Sequence, residues 1–200
     1  MKIYIIDNYD SFTYNLVDLL YKLKITPIVI KNDEEKIDIS DITHLIISPG
    51  PGTPEKSGFS IPLIKRYYKK IPTLGVCLGH QAIGKLFNCN IDYADNVMHG
   101  KVSLIYHNKK GIFKNIPSPF KAVRYHSLII KNDRSFSKNL EITAWTEKDG
   151  KMDEIMAVQN KSYNLFGVQF HPESILTEYG DLLLKNFTSY DSPKLDLMVE

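Results

Sequence analysis

Cysteine and tryptophan are scarce in this chain of 200 residues, and its net charge is small. Two cysteines are too few for the disulfide framework of a small secreted domain, and no pattern of cysteines and histidines has zinc-ligand spacing. The 25 basic and 23 acidic side chains leave a formal charge of +2, and the lysines are scattered rather than gathered into a stripe. This composition predicts no binding to nucleic acid or to a membrane surface.

Long apolar runs are missing as well. The N-terminal run is closed by Asp7 after four residues, and nowhere does the chain reach the roughly 18 consecutive apolar residues of a membrane-spanning helix. With 43% hydrophobic and 24% charged residues, the composition is that of a globular protein, which we expect to be cytoplasmic. We predict one domain at 1–188 and a loose tail at 189–200 that could link to a fused downstream domain.

Short apolar runs alternate with helical periodicity in the first half of the chain. Strands are predicted at 3–6, 27–30, 45–48 and 73–76. Helices are predicted at 12–23 with Ser11 as the cap, at 61–68, at 78–87 and, near the end, at 176–187. Between 91 and 169, short segments rich in Val, Ile, Tyr and Thr indicate added antiparallel strands. The predicted fold is α/β, with an open, mostly parallel central sheet and flanking helices.

The stretch GVCLGHQ at 75–81 gives one cysteine an informative setting. A cysteine taken alone is most often buried packing. Cys77, however, follows a predicted strand, precedes a predicted helix and stands between Gly75 and Gly79, which is the cysteine form of a nucleophile elbow. The two glycines allow a turn in which larger side chains would clash, and the helix N-terminus favours a thiolate. Context alone leaves the nucleophile and packing roles equally open.

A cysteine nucleophile needs a base, and six histidines are available. His80 follows Cys77 by three residues on the elbow helix, where a side chain tends to lie beside the helix rather than over the thiol. His171 ends a predicted strand, and Glu173 is close enough in sequence to hold the imidazole by its other nitrogen. We predict Cys77, His171 and Glu173 as nucleophile, base and orienting group.

The stretch SPGPGTP at 48–54 follows another predicted strand. Two prolines and two glycines could form no more than a rigid turn. At the same sheet edge as Cys77, however, the glycine amides could approach a substrate closely. The backbone amides of Leu78 and Gly52 are the natural pair of donors for a developing oxyanion.

Six blocks of the sequence combine into a specific pattern. They are IDNYDSFTYNLV at 6–17, ISPGPGTP at 47–54, GVCLGHQAIG at 75–84, MHGK at 98–101, RYHSL at 124–128 and GVQFHPES at 167–174. Together, over about residues 1–188, the chain resembles the class I, triad-type glutamine amidotransferases. Within that family it is similar to the small subunits of anthranilate synthase and aminodeoxychorismate synthase.

The resemblance implies an activity, a partner and a set of site residues. Such proteins hydrolyse L-glutamine to glutamate and pass the ammonia to a larger, chorismate-binding synthase subunit, and no cofactor or metal is implied. By resemblance, Cys77 attacks the glutamine amide, His171 transfers protons and Glu173 orients His171. The positions that match the family's glutamine-binding residues are Gly50, Pro51, Gly52, Gln81, Ser127 and Leu128. The stretch ISPGPGTP slightly favours anthranilate synthesis, which leads to tryptophan. The alternatives are aminodeoxychorismate synthesis, which leads to folate, or a subunit that serves both synthases.

Two other classes of protein stay open. A cysteine hydrolase acting on other amides or γ-glutamyl peptides could share the elbow and triad. A non-catalytic binding or regulatory subunit would normally lack a triad residue, whereas none is missing here. The chain also departs from the family at Asn88-Cys89, where two glycines are common. Asparagine tolerates a positive φ, and we interpret Cys89 as packing.

Overall fold

The computed structural model describes residues 1–34 and 41–191. This part of the chain contains nine strands and four α-helices. The strands are β1 (Ile3–Asp7), β2 (Ile28–Lys31), β3 (His44–Ile47), β4 (Thr73–Val76), β5 (Ile91–His107), β6 (Phe120–Ile130), β7 (Leu140–Lys148), β8 (Lys151–Asn160) and β9 (Leu165–Val168). The helices are α1 (Thr13–Lys22), α2 (Ser60–Tyr67), α3 (Leu78–Leu86) and α4 (Gly180–Thr188). No helix in these two stretches is long and apolar enough to cross a membrane.

All nine strands belong to one sheet, in the order β2-β1-β3-β4-β9-β8-β7-β5-β6. The first five in this order run parallel to one another. The other four continue the sheet with antiparallel pairing. The predicted α/β fold, with a parallel centre and added antiparallel strands, is therefore confirmed.

The parallel strands are covered on both faces, which is why their sequences are continuous apolar runs. Along β1, Ile3 and Ile5 pack in one core cluster with α1 and α4. Tyr4 and Ile6 point to the opposite face and pack in a second cluster with α2 and α3. The period of two along a strand thus divides a single apolar run between two cores.

The antiparallel strands are longer than the sequence predicts. β5 spans 17 residues and β6 spans 11. The pairing of β5 with β6 shifts register between Tyr93 and Met98 and again between His99 and Lys101. Gly100, with φ +67°, lies in the second shift. Bulges of this kind bend a strand without ending it, so residues typical of turns lie inside β5.

The start of α1 corrects one prediction. Phe12, not Ser11, occupies the cap position, and it makes no side-chain cap hydrogen bond. The backbone amide of Phe12 instead donates to the Asp10 carboxylate at 2.7 Å. Asp10 therefore organises this turn through a local side-chain bond that competes with capping by Ser11.

The last helix also differs from its prediction, since α4 begins at Gly180 and not at residue 176. The preceding residues form turns in which the Thr177 hydroxyl donates to the His171 carbonyl at 2.7 Å. Leu176, which the predicted helix would bury, is 63% exposed. Apolar residues continue at helical spacing through this loop, so the sequence predicts a longer helix than the structure contains.

The chain beyond α4 is partly attached to the body. His44 Nε2 lies 2.9 Å from the Tyr190 carbonyl oxygen, and the Tyr190 ring packs 4.9 Å from that of Phe166. Tyr190 and Asp191 therefore contact the domain, since the Asn164 side chain also donates to the Asp191 carbonyl at 3.2 Å. The rest of the predicted tail, 192–200, lies outside the described residues, and the tail and linker stay predictions.

The Asn88-Cys89 departure fits the structure. Asn88 has φ +61°, a conformation that favours glycine and that asparagine tolerates. Cys89 is buried in the α2–α3 core cluster, and the Ser137 amide donates to its sulfur at 3.4 Å. The packing role predicted for Cys89 is confirmed.

The turn from β4 to α3 consists of Cys77 alone. A Cβ atom on Gly75 would lie 2.4 Å from the carbonyl carbon and oxygen of Gly79. A Cβ atom on Gly79 would lie 2.5 Å from the Ile47 carbonyl oxygen. Both distances are far below van der Waals contact with rigid backbone, so this crossing requires glycine at both positions.

We expect Gly75→Ala to destabilise the fold by about 3 kcal/mol or more, because the new methyl group meets backbone that cannot rotate away. Gly150→Ala is the matched control. Gly150 has φ +73° but no atoms within 4 Å of an added Cβ, so only conformational strain of about 1 kcal/mol is expected there. Urea unfolding measures both, and equal losses would contradict a steric role for Gly75.

Candidate active site

Cys77 lies at the carboxyl end of β4 in a strained conformation. Its φ of +52° and ψ of −99° are rare for a residue with a side chain. Its amide donates to the Val168 carbonyl at 2.8 Å, and its carbonyl accepts the Gln81 amide at 3.1 Å. The backbone of β9 and the first turn of α3 thus hold Cys77 in place, as the predicted elbow requires.

His171 lies next to the same edge, just beyond β9. Its amide donates to the Val123 carbonyl at 2.9 Å, which fixes the backbone against β6. The imidazole Nδ1 lies 2.6 Å from the Glu173 carboxylate, and both side chains are buried. The carboxylate thereby orients the ring, with Nε2 as the nitrogen left for proton transfer.

The charge state of His171 depends on its two partners. Burial lowers the pKa of the imidazole, but the Cys77 and Glu173 side chains outweigh burial and raise the pKa to about 10. An imidazole with this pKa is protonated at neutral pH. The arrangement therefore favours an imidazolium between a carboxylate and the cysteine sulfur.

Two aromatic rings enclose the His171 imidazole. Phe12 lies 5.5 Å and Tyr125 lies 5.3 Å from it between ring centres, both in edge-on arrangements. These rings restrict the imidazole to one orientation. We did not predict either residue, although both lie inside the sequence blocks that carry the resemblance.

A cavity of about 210 Å³ adjoins Cys77. It is lined by Gly50, Pro51, Gly52, Cys77, Gln81, Tyr125, His126, Ser127 and Leu128. The structure therefore brings together all six residues that the resemblance implied for glutamine binding. Leu78 is not among the lining residues. As the first residue of α3, however, it has an amide without an acceptor inside the helix.

The loop 48–54 forms one wall of this cavity. The Asn8 amide donates to the Ser48 hydroxyl and the Asn8 side chain donates to the Ser48 carbonyl, both at 2.9 Å. A Cβ atom on Gly50 would lie 2.5 Å from the Asn8 Cβ and 2.6 Å from a Leu78 methyl carbon. Gly52 has open space around it but a φ of +81°. Gly50 is therefore required for close packing and Gly52 for its backbone conformation.

Comparison with known proteins agrees with this geometry. The family model for glutamine amidotransferase class-I matches residues 4–189. Anthranilate synthase component 2 of Pseudomonas aeruginosa is 50% identical over 186 residues, which cover 91% of this chain and 92% of that protein. The chain belongs to the class-I glutamine amidotransferases.

Other proteins extend the comparison. Aminodeoxychorismate synthase component 2 of Serratia marcescens is 48% identical over 186 residues, covering 92% of this chain and 97% of that protein. A solved structure from Thermoplasma acidophilum, assigned as one of the subunits of a GMP synthase, superposes with a TM-score of 0.81 at 22% identity. The superposition covers 94% of this chain and 92% of the other chain, and it supports the fold.

His80 occupies a different environment in this amidotransferase. The imidazole is fully buried, and a Cβ atom on Gly167 of β9 would lie 2.8 Å from its Nδ1. Burial lowers the pKa of His80 to about 3. The ring packs between α3 and β9 and does not line the cavity, as predicted for a side chain beside the elbow helix.

His126 is the histidine that lines the cavity. Burial, followed by the charge of Arg124, lowers its pKa to about 3. Within residues 1–34 and 41–191, His, Cys, Asp and Glu form no group of three or more that could hold a metal ion. The low pKa of His126 leaves a neutral imidazole in the cavity wall at neutral pH, in contrast to the protonated His171.

We expect the stability of this amidotransferase to fall as the pH drops from 6.5 to 5. The unfolded chain protonates His80 near its ordinary pKa of 6.5, whereas the folded chain does so near 3. The unfolded state then binds more protons, so stability is present above pH 6.5 and is lost below it. Where the unfolded chain binds one proton more than the folded chain, the free energy of unfolding falls by about 1.4 kcal/mol for each unit by which the pH drops.

The variant His80→Asn should reduce this pH dependence by up to that amount, measured by urea unfolding at several pH values. His99→Asn, at an exposed histidine, is the control and should follow the wild type. An unchanged slope in His80→Asn would contradict a neutral, buried His80.

Proposed function

We propose that this chain hydrolyses L-glutamine to glutamate and ammonia, with Cys77, His171 and Glu173 as its catalytic residues. The observation that carries the proposal is the position of Cys77. The elbow presents it at the wall of the 210 Å³ cavity that contains the six implied glutamine-binding residues. The ion pair of His171 with Glu173 lies beside it. Membership in the amidotransferase family supports the same activity.

The proposed reaction has two steps. The Cys77 thiolate attacks the side-chain amide carbon of glutamine, and the amides of Leu78 and Gly52 stabilise the negative oxygen of the tetrahedral intermediate. His171 donates its proton to the nitrogen as the carbon–nitrogen bond breaks, which releases ammonia and leaves a γ-glutamyl thioester. His171 then takes a proton from water, the hydroxide attacks the thioester, and glutamate leaves as the Cys77 sulfur is freed.

Substrate recognition is proposed to use both ends of the cavity. The main-chain groups of Ser127 and Leu128 would hold the amino and carboxylate groups of glutamine. Gln81, one turn along α3 from Cys77, faces the same space, and its side-chain nitrogen donates to the Leu128 carbonyl at 2.9 Å. This hydrogen bond connects α3, which follows the elbow, to β6 at the cavity wall.

The ammonia is proposed to serve a larger, chorismate-binding synthase subunit. Two relatives at 50% and 48% identity are named as components of anthranilate synthase and aminodeoxychorismate synthase. Free ammonia takes up a proton at neutral pH and ceases to be a nucleophile, which favours direct transfer within a complex. We propose anthranilate synthesis for tryptophan as the role, with aminodeoxychorismate synthesis as the alternative. Copurification with each of the two larger subunits distinguishes them.

The contact surface for this partner is proposed to lie beside the catalytic residues. A groove of about 620 Å³ runs between α1 and the loop 173–179, with Phe12 and Glu173 among its lining residues. Ile175 in this loop is 97% exposed. In the stretch DNYDSF, Asp7 and Asn8 are buried, Asp10 and Phe12 are half-buried, and Tyr9 and Ser11 are exposed and accessible to a partner.

We expect Cys77→Ala to abolish glutamine hydrolysis while the fold remains stable. In complex with the larger subunit, the variant should lose synthase activity with glutamine and keep it with ammonium salt at raised pH. A steady-state assay with each nitrogen source measures this. Loss of both activities would mean that the chain does more than supply ammonia, and full activity with glutamine would refute Cys77 as the nucleophile.

We expect Ile175→Glu to weaken binding to the larger subunit by at least tenfold, because a charge replaces an exposed apolar side chain in the proposed contact. The control is Tyr21→Glu, at an exposed aromatic residue near the far end of α1. Titration calorimetry measures both affinities, and thermal unfolding checks the fold. Equal affinities for the two variants would place the contact elsewhere.

A further inference from the structure

A chain of side-chain amides connects the cavity wall to the Cys77 sulfur. Gln169 is fully buried just after β9, and its side-chain Nε2 lies 3.6 Å from Cys77 Sγ. Its Oε1 accepts a hydrogen bond from Gln81 Nε2 at 3.2 Å. Gln81 Nε2 also donates to the Leu128 carbonyl at 2.9 Å. The sulfur is thus the end of a network that begins at a backbone carbonyl.

That backbone carbonyl fixes the direction of every bond in the network. The Leu128 oxygen can only accept, so Gln81 must present its NH₂ group. The same NH₂ group faces Gln169, which must therefore present its oxygen. The NH₂ group of Gln169 is then directed at the Cys77 sulfur. Reversing the Gln169 amide would bring two donors together at Gln81 and place an oxygen against the sulfur.

Besides the His171 imidazolium, the sulfur has another polar neighbour whose preference is opposite to that of Gln169. The Tyr125 carbonyl oxygen lies 3.7 Å from Cys77 Sγ. A thiol can donate to this oxygen, whereas a thiolate is repelled by it. The Gln169 NH₂ group can donate to a thiolate and only weakly to a thiol. The Gln169 amide thus interacts favourably with a thiolate, and the Tyr125 carbonyl does not.

We propose that Gln169 is a catalytic residue whose side-chain amide donates a hydrogen bond to the Cys77 thiolate, held in that orientation by Gln81 and Leu128. The role deepens the proposed function, because it concerns the same nucleophile. Gln169 offsets the repulsion between the Tyr125 carbonyl and the thiolate. It also holds the sulfur in one position, since the amide is fully buried between β9 and α3 and anchored at its other end.

The test measures the reactivity of Cys77 without glutamine. The isolated chain is treated with iodoacetamide at a series of pH values, and alkylation of the Cys77 peptide is followed by mass spectrometry. Gln169→Leu removes the donor at similar volume. We expect its alkylation at pH 7 to slow about tenfold, equivalent to about 1.4 kcal/mol, and its pH profile to move to higher pH. Hydrogen bonds to charged groups have energies of this order.

Gln169→Glu is the second variant, because it keeps the size and shape of the side chain. A carboxylate beside the thiolate should slow alkylation at least as much as leucine does. The control is Gln159→Leu, at a glutamine on β8 outside the cavity lining, and it should match the wild type. Circular dichroism checks the fold, and one folded Gln169 variant is enough to test whether Gln169 donates to the Cys77 thiolate.

Wild-type alkylation rates and pH profile in a folded Gln169 variant would overturn the role of Gln169. That outcome is separate from failure of the proposed function, which would show as absent glutamine hydrolysis in the wild-type complex. Slower alkylation together with an inactive wild-type complex would support Gln169 as a thiolate donor and refute glutamine as the substrate.

Discussion

The close crossing of β4 and α3 at Cys77 is the constraint on which the site depends. Backbone atoms of Gly75 and Gly79 approach so closely that an added Cβ on Gly75 would lie 2.4 Å from its neighbours. This contact turns the chain within one residue and places the start of α3 at the carboxyl edge of the sheet. Cys77 and Gln81 then line one cavity. A wider turn would separate them, whatever the remaining sequence.

The other parts of the site reach this edge from separate directions. Parallel strands β1, β3, β4 and β9 all end there. The loop after β3 lines the cavity, Cys77 follows β4, and His171 lies just beyond β9. Hydrogen bonds from Asn8 to Ser48 join the loops after β1 and β3. The antiparallel strand β6 supplies Tyr125 through Leu128 on the remaining side. The antiparallel extension therefore completes the cavity, in addition to lengthening the sheet.

The sequence was sufficient to predict what depends on local pattern. Apolar runs between turns located the parallel strands, and the elbow glycines located Cys77. Errors arose where distant contacts decide local structure. The bulged β5 contains residues typical of turns, and the loop before α4 keeps a helical period while Leu176 stays exposed. Gln169 lies within a recognised block, but its contact with Cys77 depends on the pairing of β4 with β9, which no local pattern shows.

Three buried histidines show why burial alone does not identify a base. His80 and His126 have pKa values lowered to about 3, since the interior penalises their charge without supplying a carboxylate. His171 is equally buried, yet its pKa is raised to about 10 by the Cys77 and Glu173 side chains. The difference comes from the partners and not from the solvent exposure of the ring. Glu173, two residues away, was therefore an informative sequence signal, because together with Cys77 it separates a protonated imidazole from neutral ones that are equally buried.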